Sequence, residues 1–140
     1  MKELLLIVMG ILSLEGVVSA QSDGVIFKGN LKSSISTAAI VSAGKKYYSS
    51  SGTTRPIVDS TAAEGSRERY GDTKTQALGI LGKFKSTLAE EGLSLSNVVL
   101  MRVYIAPDTK TGKIDFQGRL DAYANYFGTK ENPAKPTRST

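Results

Sequence analysis

The chain has 140 residues, with 18 Lys and Arg against 13 Asp and Glu, a net charge of +5, and no Cys, His or Trp. This length suits one domain that buries about two-thirds of its unfolded surface. The missing residues exclude a disulfide framework, a thiolate nucleophile, a Cys- or His-liganded metal, and any triad built on an imidazole base. What remains is carboxylate, hydroxyl, Lys, Arg and backbone chemistry, including a carboxylate-only site for a hard cation.

Residues 1–20 read as a secretory signal peptide. Leu4 to Leu14 is a short apolar run, Val18-Ser19-Ala20 has the small residues of a cleavage site, and Gln21-Ser22-Asp23 turns polar. Glu3 and Glu15 are unusual in such a leader, and a buried or amphipathic N-terminal helix is the other reading. Cleavage after Ala20 removes one Lys and two Glu, so 18 and 13 become 17 and 11, a net charge of +6. The mature part, 21–140, is then a single domain, secreted or periplasmic; without cleavage it is cytoplasmic.

Val25-Ile26-Phe27 predicts a first strand. Ile35–Val41 and Tyr47–Ser51 predict a hairpin turning at Gly44, stopped by Gly52 and Pro56. Asp59 to Gly71 is a polar loop with room for one helical turn. Asp72 to Glu91 predicts a helix. Thr73 and Gln76 have capping-box spacing, Ala77, Leu81, Phe84 and Leu88 form an apolar face, and Gly92 ends it. Gly79 and Gly82 weaken this helix by roughly 1 kcal/mol each unless a sheet approaches closely there.

Asn97 to Ile105 alternates with apolar residues on both parities, which predicts a central strand covered on both faces. Asp115 to Phe127 predicts a second helix with Phe116, Leu120, Tyr123 and Phe127 inward, capped by Gly128. Asn132 to Pro136 is an extended connector to Arg138, at a strand start. The expected fold is α+β, with two helices on one face of a mixed sheet. The other sheet face then needs a second copy of the chain.

No phosphate-binding loop, dinucleotide fingerprint or nucleophile elbow is present. Glu90 and Glu91 are helical neighbours and do not share a face. Lys45-Lys46, Lys83 and Lys85, and Lys110 and Lys113 are dispersed without interleaved aromatics, so nucleic acid is not an expected partner. Arg138 is suited to gripping a carboxylate with its guanidinium fork.

Several segments, in order from about Ile35 to Thr140, resemble the RidA/YjgF family of reactive-intermediate deaminases, also called RutC-like. Ala43-Gly44 with Ser51-Gly52 resembles its "AG…SG" element. Gly71-Asp72, Thr75-Gln76-Ala77 and Leu88 to Gly92 resemble its first helix. Leu95 to Val99 with Arg102 to Ile105 resembles "SLxDVVKxTVYL". Asp115-Phe116 and Tyr123 to Gly128 resemble "DFxxxNxxYxxYF", and Pro136 to Thr140 resembles "PARST".

The resemblance implies a chorismate-mutase-like fold, a homotrimer with ligand clefts between subunits, and hydrolysis of enamines and imines to 2-keto acids and ammonia without a cofactor or metal. Other members are described as ribonucleases or translation inhibitors, and a non-catalytic carboxylate-binding trimer is the alternative. The family's carboxylate-binding arginine falls on Arg138, its pocket serine on Ser51 beside Gly52, and the residue whose backbone orients imine and water on Thr140. The family's pocket tyrosine is Ile35 here, its helix asparagine is Leu120, and the Gln after Ser-Gly is Thr53. The family's final strands have no counterpart after Thr140, so the domain is expected to be incomplete at its C-terminal side.

Overall fold

A computed structural model describes residues 21–22, 24–30 and 32–140. The expected leader, residues 1–20, lies outside the described residues. The fold is mixed α+β: β1 (Gln21–Ser22), β2 (Val25–Lys28), β3 (Ala38–Val41), α1 (Arg67–Tyr70), α2 (Thr73–Glu90), β4 (Leu100–Arg102), α3 (Phe116–Tyr123) and β5 (Thr137–Ser139).

The strands form two small sheets rather than the one mixed sheet expected. β1, β2 and β3 make an antiparallel sheet, with Val25 opposite Val41 and Phe27 opposite Ala39. β4 and β5 pair in parallel, with Met101 opposite Arg138. Gly44 turns as expected, at φ 80°, but the Tyr47–Ser51 arm of the hairpin does not form a strand. All five of its residues are exposed. They bury too little to repay the ordering of a further strand, and β3 pairs back onto β2 instead. The long strand expected over 97–105 shortens to three residues, because regular pairing lasts only as far as β5 accompanies it.

α2 starts one residue earlier than its capping-box spacing suggests. The Asp72 carboxylate is the N-cap and accepts from the Thr75 N–H at 2.8 Å, while the Gln76 side chain donates to the Gly71 carbonyl at 2.9 Å. A carboxylate satisfies an orphan N–H and also complements the positive helix end. The C-terminus closes as a Schellman motif. The Leu93 N–H reaches the Leu88 carbonyl at 2.8 Å, the Gly92 N–H reaches that of Ala89 at 3.0 Å, and Gly92 has φ 68°.

α2 and α3 run side by side in the same direction. Gly118 lies against the Lys74 backbone, and one end further on the Tyr126 hydroxyl donates to the Leu78 carbonyl at 3.3 Å. The glycines of α2 therefore admit side chains rather than a sheet. A Cβ on Gly79 would meet Arg55 at 2.7 Å, and one on Gly82 would touch Tyr126. The main core is Leu81, Leu88, Leu95, Tyr123 and Phe127, with Met101 packed against it. A second core joins Val25 and Phe27 to Ala134 and Val99. The helices thus cover the face of β4 that carries Met101. The other face is open: Leu100 is 58% exposed and Tyr104, two residues past β4, is 86% exposed, so the double coverage expected for 97–105 is absent among the described residues.

Asp72→Ala should cost about 1 kcal/mol of stability at neutral pH. The Thr75 hydroxyl and N–H hold the Asp72 carboxyl below its ordinary value of 3.8, against the upward pull of burial. A carboxyl with a depressed folded value stabilises fully above the unfolded range and loses that effect as pH falls through the folded value. Urea unfolding of parent and variant should therefore differ at pH 7 and converge in strong acid.

Candidate functional site

The site is built where β5 meets α3. The Ala134 to Pro136 linker is anchored in the fold: Ala134 and Pro136 are buried, and the Lys135 ammonium donates to the Ser33 carbonyl at 2.8 Å. Arg138 enters beside Met101, on the helix-covered face, and is half-buried. Its guanidinium carbon lies 4.9 Å from the centroid of the Tyr123 ring, a cation–π distance. Tyr123 in turn stacks on Phe127, with centroids 4.8 Å apart and planes at 22°. The ring under Arg138 is therefore a fixed part of the core.

Arg119 is the residue that sequence reasoning missed. It precedes Tyr123 by four positions, so both lie on one face of α3. The expected inward stripe of Phe116, Leu120, Tyr123 and Phe127 is rotated: Phe116 is 50% exposed, while Arg119, Ala122 and Tyr123 are buried. The signal was present in the 119–123–127 spacing, which puts a cation on the same stripe as two buried aromatics.

These three polar side chains share a deficiency. Nε and Nη1 of Arg119, Nη1 of Arg138 and the Tyr123 hydroxyl are all buried without a hydrogen-bond partner. Among the described residues no carboxylate pairs with either arginine. Guanidinium groups only donate and the phenol can also donate, so the cluster holds several donors with no carboxylate to receive them. Burial lowers the pKa of Arg138, with Arg119 adding to the effect. It lowers that of Arg119 as well. Both remain cations, because arginine does not lose its proton in proteins. Burial pushes Tyr123 up to about 12, even though Arg138 and Arg119 pull it down. A small acceptor-only group, such as a carboxylate, matches this arrangement.

The other expected site residues stand elsewhere in the chain. Ser51 is exposed and lines a shallow groove with Lys83, Phe84 and Thr87 of α2. Gly52 follows it in the same exposed stretch. Thr140 is exposed just beyond β5. Among the described residues no hydrogen bond or ion pair joins Ser51 or Gly52 to Arg138, and the groove that Ser51 lines does not include Arg138. Ile35 is half-buried in the turn that Lys135 ties to the β5 linker, and Leu120 is half-buried on α3.

A cleft of ≈ 280 Å³ lies next to the cluster, bounded by the start of α2 and the segment 103–109, and Arg119 lines it. Arg67, also in its lining, bridges Asp108 at 3.1 Å and Asp72 at 3.5 Å. Burial raises the Asp108 carboxyl, but the N–H groups of Lys110 and Thr111, with Arg67, outweigh it and leave the pKa below its ordinary value. Among the described residues no cluster of acidic side chains is built to hold a metal ion, and no helix is long and apolar enough to cross a membrane. No family model and no curated protein matches the chain.

Tyr123 should ionise unusually late for a phenol. Alkaline absorbance titration of the folded protein should show a phenol ionising near pH 12, and that component should vanish in Tyr123→Phe.

Proposed function

We propose that this chain is a RidA-like protein that binds the carboxylate of a small 2-imino or enamine acid at Arg138 and promotes its hydrolysis. The observation that carries this reading is the half-buried Arg138 guanidinium, seated on the Tyr123 ring with Nη1 lacking an acceptor. A ligand carboxylate supplies that acceptor, and a charge-assisted bond of this kind contributes roughly 1.5–3 kcal/mol.

The chemistry asks little of the side chains. A proton reaches the enamine's β-carbon from water, giving the imine. Water adds to the imine carbon and forms a C–O bond. The C–N bond then breaks, ammonia departs with the nitrogen, and a 2-keto acid remains. Positioning the carboxylate and excluding alternative orientations account for most of the help such a reaction needs. The backbone at Thr140, beside the β5 edge, is the candidate for orienting imine and water. This route suits a chain without His or Cys.

The quaternary reading is a homotrimer of chorismate-mutase-like subunits. The open face of β4, with Leu100 and Tyr104 exposed, supports burial against other copies. In such an assembly Ser51 and Gly52 would approach Arg138 from a neighbouring subunit, consistent with their separation within one chain. Residues 1–20 belong to this reading as a secretory leader. A second reading, carboxylate binding without turnover, is favoured by Ile35 and Leu120, which put apolar side chains where the family has a tyrosine and an asparagine.

The test is keto-acid release from freshly generated 2-aminoacrylate, with mass measurement by light scattering. The expected result is a trimer that accelerates release, and an Arg138→Ala variant slower by roughly 10- to 100-fold, as loss of a charge-assisted contact implies. Tight binding of 2-keto acids without acceleration selects the second reading. An Arg138→Ala variant with the parent's rate contradicts the role of Arg138.

A further inference from the structure

We propose that the cleft beside the start of α2 is a second ligand site, separate from Arg138, and that it takes a small monocarboxylate with an apolar body, its carboxylate held by Arg119. The two sites are independent: neither Arg138 nor Tyr123 lines this cleft.

The helix pairing places Arg119 there. A Cβ on Gly118 would lie 3.2 Å from the Lys74 backbone nitrogen, so this turn of α3 meets the first turn of α2. Arg119, the next residue, is the one part of α3 in the cleft lining; the other walls come from 65–80 and 103–109. It is nine-tenths buried, at 9% exposure. Nε and Nη1 are enclosed without a partner. Arg119 makes no hydrogen bond or ion pair among the described residues, and Nη2 is not enclosed with the other two nitrogens. Nη2 is therefore the guanidinium nitrogen that reaches the surface, and the cleft is the opening that Arg119 borders. It brings donor hydrogens and a positive charge, and no acceptor.

The other charges in the lining are already engaged. Arg67 bridges Oδ2 of Asp108 at 3.1 Å, while the N–H groups of Lys110 and Thr111 donate to Oδ1 at 2.9 and 3.0 Å. Both oxygens of that carboxylate have partners, which leaves the Arg119 charge without an anion. Much of the remaining wall is apolar: half-buried Ile80, Val103 and Ile105, with Pro107 and the rings of Tyr70 and Tyr104. The ≈ 280 Å³ volume sits at the small end of small-molecule pockets, about 300–1,000 Å³. One donor-only cation among apolar walls matches one carboxylate on an apolar body. Phosphate would bring extra charge and no apolar surface to bury.

The experiment uses 3-phenylpropanoate, its neutral amide 3-phenylpropanamide, propanoate and inorganic phosphate. Binding to the full chain is measured by calorimetry, and the residues affected by amide chemical shifts. The parent should bind 3-phenylpropanoate at least about tenfold more tightly than the amide or propanoate, since each lacks either the charged contact or the apolar body. Shifts should move at Gln76, Ile105 and Ala106 rather than at Thr137–Ser139. Arg119→Met should bring the acid down to the amide's affinity with its circular dichroism unchanged, and Arg119→Lys should keep part of the preference. Arg138→Met should leave the affinity as it is.

Equal affinity of acid and amide for the parent, or a preference that survives in Arg119→Met, overturns the inference. So does propanoate or phosphate bound as tightly as 3-phenylpropanoate. Shifts confined to Thr137–Ser139, with binding lost in Arg138→Met, overturn it in favour of the Arg138 site. If Arg119→Met does not fold, the parent's shifts and the Arg119→Lys titration decide the matter.

Discussion

A buried guanidinium on Arg119 and a half-buried one on Arg138, with no carboxylate paired to either among the described residues, are the constraint around which this structure is organised. Each would be costly alone, because an unpaired charge in a low-dielectric interior loses its hydration without recompense. Here Arg138 recovers part of that loss on the face of Tyr123. Arg119 recovers less, with two nitrogens unsatisfied. An acceptor-only group such as a carboxylate would supply what these nitrogens lack.

The rest of the architecture keeps the cluster in place. Tyr123 is locked by its stack on Phe127 and by the helix core of Leu81 and Leu88. α3 is held against α2 by the Tyr126 hydroxyl and by the Gly118 approach to Lys74. The crossover from β4 through α3 to β5 returns the chain parallel to its start and delivers Arg138 beside Met101. Buried Ala134 and Pro136 fix the approach. The Arg138 side chain is therefore seated on a fixed aromatic ring while remaining half-buried.

Much of this was legible in the sequence where local chemistry decides the outcome. α2 and its ending at Gly92, the helical turn inside the 59–71 loop, the first strand at Val25 and the extended approach to Arg138 all follow from period, caps and turn residues. The failures share a cause. Tyr47–Ser51 has strand-like residues but finds no partner, and the 97–105 segment is paired only alongside Thr137–Ser139. Strand pairing is a long-range event that periodicity does not encode. Arg119 was overlooked because a charged residue is ordinarily assigned to the surface. Its burial depends on α3 being rotated so that Phe116 faces outward, which is a tertiary outcome. The Ser51–Gly52 element was readable as a motif, but its distance from Arg138 in one chain was not.

The central claim is that the arginine pair is an unmet electrostatic demand rather than a support of the fold. Thermal unfolding of Arg119→Met and Arg138→Met, without ligand and in a buffer of weakly coordinating anions, tests it most directly. The account predicts that Arg119→Met is at least as stable as the parent, and that Arg138→Met loses no more than the modest cation–π contribution of about 1 kcal/mol. A large loss of stability in Arg119→Met would mean that its guanidinium holds the helices together, and would contradict the account.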